Sequence, residues 1–494
     1  MKPNKKSSIS KRKIIGMLHG VFDIIHYGHT LYFKEAKSKV DHLIVSVTSD
    51  RFVNKGPGKP IFNLKKRVEV LRSIKYIDEV VVSDHKTAVN NLETIKPDFY
   101  IKGKDYKNLK NDLSKQIFIE KKTVEKYGGK ILFTNSELHS SSSIANNAFE
   151  YINDDIKKIL KKIDKIQFEQ NFLKLTQKKL SEKILIIGDP ILDILRFVEP
   201  SGKSNKSNVI STKYLKEEEN SGGVLLVANF LNLFCKNVTM LFSGENKNLN
   251  LIKKHLRKDI KVLHVKTKNK LIKKIRYIDN YSNNRLFQNN FNEKDKFTNL
   301  EEKKVLKKIN QIKKNYDEIL FFDYGYVYSN EKLIKSLKNL SKKLTINCQS
   351  NSYNFGYNIA DKFKLGKTIS MDEAEFRLVV RNKEDKLEEL IKKNSKLFNK
   401  FQNLIITQGK KGCYLKKNNN IINVPCIINI SVDSTGSGDV FLSMFLVTKI
   451  LNNFSDFESL ITSHIAAGLH SNQLGNRFNI NVLDIYKILS SIIK

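Results

Sequence analysis

His19-Gly20-Val21-Phe22-Asp23-Ile24-Ile25-His26-Tyr27-Gly28-His29 follows a short apolar run, Ile14 to Leu18, and precedes an amphipathic stretch that begins at Thr30. An apolar run, a tight loop and an amphipathic stretch read in that order as strand, turn and helix. Two histidines separated by Tyr-Gly then stand at the mouth of a helix. There, unpaired backbone N–H groups and the positive end of the helix dipole favour a phosphate. Gly20 and Gly28 lack side chains and let backbone or ligand come close. The same alternation continues outward: Leu43–Val47, Glu79–Val82, Phe99–Lys102 and Lys130–Thr134 read as strands, and Leu64–Ile74 as a helix. Strands alternating with helices predict an α/β fold with a parallel, doubly wound sheet, whose ligands bind at the carboxyl ends of the strands.

The chain has 494 residues, more than one ordinary core holds, so two or three domains are expected. Its four cysteines, Cys235, Cys348, Cys413 and Cys426, are scattered without a CxxC pair and read as reduced thiols. No apolar run approaches the length of a membrane span, and the basic stretch Met1 to Lys13 lacks the apolar region of a signal peptide. The net charge of +37 comes almost wholly from lysine spread from end to end. A nucleic-acid binder would gather such charge in one patch interleaved with aromatics, so a specific nucleic-acid partner is not expected, whereas phosphorylated small molecules would be attracted.

From Glu150 to Lys183, Ile152, Ile156, Ile159, Ile163 and Ile166 recur at helical spacing among lysines, which predicts a connector of one helix or two rather than a flexible linker. A strand at Lys183–Ile187 then opens a second α/β region. Its strongest signal is Asp433-Ser434-Thr435-Gly436-Ser437-Gly438-Asp439, just before the apolar helix Val440–Leu446. Backbone N–H groups of a glycine-rich turn at a helix start form an anion hole, and a carboxylate at the end of the turn can take a hydroxyl proton.

The first motif resembles the HxGH signature of nucleotidyltransferases, which move a nucleoside monophosphate from CTP or ATP onto a phosphorylated alcohol. Further segments match in order: Ser49-Asp50-Arg51-Phe52, Ile101-Lys102-Gly103-Lys104-Asp105-Tyr106, similar to the sugar-phosphate adenylyltransferase branch, and Ser140-Ser141-Ser142-Ser143-Ile144. The resemblance implies that His26 and His29 donate hydrogen bonds to the α- and β-phosphates and that Lys55, Lys59 and Arg67 neutralise departing pyrophosphate. It also implies that Gly20, Phe22, Asp23, Gly103, Asp105, Ser140, Ser141 and Ser142 line the nucleotide.

The glycine turn resembles the Asp-Thr-x-Gly-x-Gly-Asp signature of ribokinase and phosphofructokinase-B sugar kinases. That resemblance makes Asp439 the catalytic base and Gly436, Ser437 and Gly438 the anion hole. It places Gly409 at the nucleotide, Asp193, Gly222 and Gly223 at the sugar, and Glu375 with Asp372 at a magnesium ion. Three positions depart from the pattern: Leu226 stands where a sugar-contacting Asn is usual, Asp372 where the magnesium motif begins with Asn, and Tyr326 where a lysine often follows the Asp-Tyr pair, here Asp323-Tyr324.

Together the halves resemble the bifunctional ADP-heptose synthases, which phosphorylate a heptose 7-phosphate at carbon 1 and transfer AMP to the product. That family usually places the kinase first, whereas here the transferase comes first. The organisation expected is a basic tail over 1–13, a Rossmann-like nucleotidyltransferase over 14–149, a helical connector over 150–182 and a ribokinase-like domain with a small β lid over 183–494. Implied with it are ATP, or CTP in the first half, Mg2+, a sugar phosphate substrate, a homo-oligomer and a cytoplasmic setting for surface polysaccharide synthesis. Two alternatives stand beside this reading: a cytidylyltransferase for a polyol or alcohol phosphate, and a kinase-like half that only binds sugar or dimerises.

Overall fold

The computed structural model describes residues 12–53, 60–85, 87–103, 116–135, 154–203, 208–291, 296–428, 431–450 and 454–493. The chain divides into two compact units, residues 1–154 with 486–494, and residues 155–485.

In the first unit, β1 (Ile15–Gly20), β2 (His42–Thr48), β3 (Glu79–Ser83), β4 (Phe99–Lys102) and β5 (Lys130–Phe133) form one sheet in the order β3-β2-β1-β4-β5. Every pairing in it is parallel. Met17, Leu18, Leu43, Val45, Val47, Tyr100 and Ile101 are fully buried, as both faces of a parallel sheet require. The chain runs from β1 outward through β2 and β3, then returns to place β4 on the other side of β1. The reversal of strand order therefore falls between β1 and β4, where such sheets open a ligand crevice. The helix after β1 spans Tyr27–Lys37, starting earlier than Thr30. The reason is local: His26 is extended, at φ −140° and ψ 175°, and its side chain caps the first turn.

The second unit opens with two helices, Asp154–Leu160 and Lys165–Gln177. Ile156 and Ile159 are buried, but Ile166 is 72% exposed. The helical period is broken because Asp164 caps a new helix, whose inner face is Phe168, Phe172 and Leu175. The strands that follow are β6 (Leu180–Gly188), β7 (Pro190–Lys203), β8 (Ile210–Gly223), β9 (Cys235–Gly244), β10 (Lys261–Lys266), β11 (Ile272–Asp279) and β12 (Arg285–Phe291). After them come β13 (Glu318–Asp323), β14 (Leu344–Cys348), β15 (Gly366–Asp372), β16 (Phe401–Thr407), β17 (Cys413–Lys417) and β18 (Asn420–Val424).

The large sheet has the order β10-β9-β6-β13-β14-β15-β16-β17-β18 and is parallel as far as β16, with an antiparallel edge beyond. Its strand order reverses between β6 and β13. A separate four-stranded sheet, β12-β11-β7-β8, is the small β element expected beside the core. Among the described residues no helix is long and apolar enough to cross a membrane.

Two candidate phosphate-transfer sites

In the first unit the histidine loop leaves the central strand at the crevice. The Nδ1 of His26 accepts from the Gly28 N–H at 3.1 Å, which leaves the ring proton on Nε2 as a donor. The His26 and His29 rings face each other with centroids 4.0 Å apart. Phe22 edges onto His29 at 5.7 Å, and Phe33 stacks on it at 6.2 Å, which fixes the orientation of that ring. Phe22 sits at φ 49°, in the left-handed region, and a Cβ on Gly20 would meet its ring at 3.0 Å. Gly20 therefore makes room for the aromatic wedge that holds His29.

Two residues read from the sequence as phosphate ligands are committed elsewhere. The Asp23 carboxylate accepts from the backbone N–H groups of Ile61 and Phe62 at 2.9 and 3.0 Å, stapling a distant loop to the motif. Arg67 is 1% exposed. Its guanidinium donates to the carbonyls of Phe62 at 3.0 Å, Thr48 at 2.8 Å and Val21, and to Asp50 at 2.7 Å. With its donors spent on the loop walls, Arg67 braces the crevice from below and does not reach into it. Replacing Arg67 by Met is expected to cost about 3 kcal/mol, because several buried carbonyls lose their donor together. Urea unfolding of the first unit measures this, and a loss under about 0.5 kcal/mol, the scale of an ordinary surface change, contradicts the brace.

Behind the loop, His19 bonds Ser46 at 2.9 Å and Thr48 at 3.4 Å, and burial with nearby Lys102 pushes its pKa down to about 3. Lys102 pairs with Glu120 at 3.1 Å, and Gly103 follows it, buried, at the end of β4. Lys55, Lys59, Asp105, Ser140, Ser141 and Ser142 lie outside the described residues.

In the second unit Asp439 lies in the first turn of the helix Ser437–Ile450 and is 3% exposed. Its Oδ1 accepts from Asn347 at 2.8 Å and Gln349 at 3.0 Å, and its Oδ2 from the Tyr324 hydroxyl at 3.1 Å. Burial lifts its pKa from 3.8 to about 7, even though these donors and Lys274 pull the other way. If Asp439 is the base that the resemblance implies, it must be deprotonated to act, and ADP formation is then expected to rise with pH and level off above about 7, falling near tenfold per unit below it. A kcat/KM profile for ADP release measures this, and a flat profile between about pH 5.5 and 8 contradicts it. The same shift means that the folded chain holds a proton that the unfolded chain releases. This carboxylate's contribution to stability is thus present below about pH 4 and lost as the pH rises through 7.

The turn itself is held from several sides. Asp433 accepts from the Thr435 N–H and hydroxyl at 3.0 and 2.7 Å, from Gly475 at 3.1 Å, and from Arg285 of β12 at 2.7 Å. Gly436 has φ 75°, and a Cβ there would meet Asn476 Oδ1 at 2.3 Å, Leu226 at 2.6 Å and His470 at 3.0 Å. Only glycine fits. Leu226, the departure noted in the sequence, is fully buried and packs its methyl carbon under the turn. The Ser437 hydroxyl donates to Ser434 O at 2.7 Å, while a Cβ on Gly438 would meet nothing within 4 Å, so the turn is open on that side. That side faces a cavity of about 330 Å³, lined also by Gly409, Gly412 and His464, the last neutralised by burial at a pKa of about 4.

Asp193 of β7 is 2% exposed, with Arg276 on Oδ1 and Asn476 on Oδ2. Gly222 is required beside it, because a Cβ there would come within 2.3 Å of Asp193 Oδ2. Gly223, at φ 55°, starts the helix Val224–Phe234. Burial lowers the pKa of Lys274, which is attracted to the carboxylates Asp193, Asp439 and Asp189.

Glu375 and Asp372 form a reciprocal cap of the helix Glu373–Val380: each carboxylate accepts from the other's backbone N–H at 2.7 Å. Glu375 also accepts from Ser350 at 2.8 Å. Burial, and then the charge of Asp372, push Glu375 up to about 8, and burial raises Asp372. Two carboxylates destabilised in this way suit a hard divalent cation, and magnesium takes only one or two protein carboxylates beside phosphate and water. Among the described residues there is no cluster of three or more metal-ligating side chains.

Asn347, Gln349, Asn476, His470 and Arg285 complete this site without having been read from the sequence. Asn347 alone left a signal: it is a polar residue near the carboxyl end of an apolar strand in an α/β sheet.

Residues 17–147 match the family model "Cytidylyltransferase-like", and residues 202–471 match "pfkB family carbohydrate kinase". The bifunctional protein HldE of Syntrophotalea carbinolica is 32% identical over 121 residues, 24% of this chain and 23% of that protein. The bifunctional protein HldE of Pseudomonas putida is 41% identical over 98 residues, 19% of this chain and 20% of that protein. The chain thus spans about a fifth to a quarter of the length of these curated relatives. A crystal structure of phosphofructokinase-2 from Escherichia coli in complex with potassium superposes with a TM-score of 0.51 at 14% identity, covering 64% of this chain and all of that one. At that identity the likeness establishes the fold.

Proposed function

Because the chain belongs to the pfkB family of carbohydrate kinases, by a match over residues 202–471 behind a cytidylyltransferase-like region, we propose that it makes a nucleotide-activated sugar in two steps. The kinase half, taken as 183–494, moves the γ-phosphoryl group of ATP to a sugar phosphate, with heptose 7-phosphate phosphorylated at carbon 1 as the first candidate. The transferase half, taken as 14–149, then joins a nucleoside monophosphate to the new sugar 1-phosphate. The observation that carries this reading is the pairing, in one chain, of a histidine-capped helix start with a glycine turn that ends in a buried carboxylate.

In the first step Asp439 accepts the proton of the attacking sugar hydroxyl, whose oxygen bonds to the γ-phosphorus as ADP leaves. Backbone N–H groups from Gly436 to Asp439 stabilise the charge on the transferring phosphoryl oxygens. Asp193, Lys274 and Arg276 place the sugar, while Leu226 withdraws the amide contact usual at its position. The nucleotide occupies the cavity beside Gly409 and Gly438. A magnesium ion carried in with the nucleotide, held by Glu375 and Asp372, would offset phosphate charge.

In the second step a sugar 1-phosphate oxygen attacks the α-phosphorus of the nucleotide and pyrophosphate departs. His26 and His29 donate to the phosphate oxygens on which charge builds up. Gly20, Phe22, Asp23 and Arg67 act here by shaping the loop, and Gly103 leaves space at the end of β4. The described part of the reaction is positioning and charge stabilisation, with little covalent work for the protein.

A panel of sugar and polyol phosphates with ATP or CTP, reading ADP and pyrophosphate separately, tests both steps. The expected result is ADP from a sugar phosphate and ATP, then pyrophosphate from the same mixture. Pyrophosphate only from CTP with an alcohol phosphate, and no ADP from any sugar, would replace this reading with the cytidylyltransferase alternative.

A further inference from the structure

Tyr324 follows directly on β13, at the carboxyl end of the large sheet, and is 3% exposed. Its backbone is held on both sides of the ring. The Tyr324 carbonyl accepts from Asn351 at 2.7 Å and from Asn354 at 2.9 Å. Gly325, at φ 76°, donates its N–H to Asp323 at 2.9 Å, and a Cβ there would collide with the Asn354 amide. The Tyr324 ring lies over Phe322, with centroids 6.2 Å apart. This scaffold delivers the phenol hydroxyl to one atom, Oδ2 of Asp439, at 3.1 Å. Burial, and then the charge of Asp439, hold the phenol well above its ordinary pKa, so Tyr324 keeps its proton and acts as a donor.

An ionised carboxylate has about four acceptor positions, two on each oxygen. Asn347 and Gln349 fill both positions on Oδ1 of Asp439, at 2.8 and 3.0 Å. On Oδ2, Tyr324 fills one, and no second donor among the described residues takes the other. A proton arriving on Oδ1 would have to displace an amide, whereas one arriving on Oδ2 finds an open position. The charged groups that act on this carboxylate are Lys274 of β11 and Asp193 of β7, and Asp439 acts in turn on Glu375 of the helix Glu373–Val380. Tyr324 also faces Asp189, just after β6, and Asp193. Once Oδ2 carries a proton it accepts poorly, so the Tyr324 bond is lost together with the charge. Oδ1 still accepts from both amides, as a carbonyl oxygen does. Tyr324 thus favours the charged carboxylate more than either amide does.

We infer that the sugar proton passes to Oδ2 of Asp439 and that Tyr324 is the positioning residue that presents this oxygen, an assignment that rests on Asp439 being the base. The sugar O–H bond breaks as its oxygen bonds to the γ-phosphorus, and the proton goes to Oδ2. The bond from the γ-phosphorus to its bridging oxygen breaks, and its electron pair leaves on ADP. Infrared pH titration of the full chain reads the Asp439 carboxyl without substrate, as the band absent from Asp439→Asn. Tyr324→Phe is expected to raise its midpoint by about one pH unit, the scale of one hydrogen bond to a charged group. Gln349→Leu, at a half-buried position, should raise it by less than about a third of that. In kcat/KM for ADP release from ATP and heptose 7-phosphate, Tyr324→Phe should show a deficit of about tenfold at about pH 6 that closes above about 9. A fluorotyrosine at position 324 is a stronger donor of nearly the same shape. It should move both midpoints down, which keeps the test open if Tyr324→Phe does not fold. The proposal is overturned if Gln349→Leu moves the midpoint as far as Tyr324→Phe. It is equally overturned if Tyr324→Phe lowers turnover by the same factor at every pH, as a merely structural tyrosine would. Undiminished ADP release in Asp439→Asn removes the base itself, so failure of the kinase reading is told apart from failure of the Tyr324 assignment.

Discussion

Replacing Asp439 by Asn is expected to lower ADP formation by about 10² to 10⁴, the range for removing a general base, while pyrophosphate release from a supplied sugar 1-phosphate stays unchanged. The variant should fold. Asn347 and Gln349 present side-chain amides to Asp439 Oδ1, and each can rotate to offer its oxygen to the new amide nitrogen. The Tyr324 hydroxyl, now on Oδ2, can keep an acceptor on the other side. Loss of ADP release with an unchanged melting temperature separates chemistry from packing. Undiminished ADP production from every sugar phosphate tried would make the C-terminal half a binding module.

The second large effect is expected at His29. His29→Ala should reduce pyrophosphate release by about 10² or more, on the scale of deleting one preorganised donor from an oxyanion site. Part of any loss could come from the vacated space beside Phe22 and Phe33, which flank the ring at 5.7 and 6.2 Å. His29→Gln fills most of that space and keeps an N–H, so it should recover part of the rate, whereas a purely structural ring would show its deficit in stability instead. Near-normal turnover in His29→Ala ends the assignment.

The alternation that begins at Ile14 carries the architecture of the first unit because period and turn chemistry are local properties of the chain. The glycine turn is legible for the same reason: Asp433, Gly436 and Asp439 write its geometry within seven consecutive residues. What the sequence hides is assembled over distance. Asn347 and Gln349 reach Asp439 from 92 and 90 positions away, and no spacing rule links them. Arg67 shows a different kind of opacity. An arginine near the start of a lysine-rich helix looks like a phosphate ligand, and only the approach of the Val21, Thr48 and Phe62 carbonyls turns it into a brace. Asp23 follows the same logic, since its partners Ile61 and Phe62 arrive from another loop. Ile166 went astray for a local reason: the capping strength of Asp164 was outweighed in the sequence by an unbroken isoleucine rhythm.

The imidazole at the start of the first helix has an evolutionary corollary. At an ordinary helix start, Asn, Asp, Ser and Thr interchange at little cost, and drift among them is free. His26 occupies that position with Nδ1 holding the Gly28 N–H, and so keeps the ring proton on Nε2. A mutation to a better capping residue would keep the helix and remove the Nε2 donor. A mutation that kept a distant donor, such as Lys, would leave the helix start uncapped. Neighbouring sequence space therefore holds no neutral exit from this histidine, and descendants of this chain that lose it should be those in which the first reaction centre has already fallen out of use.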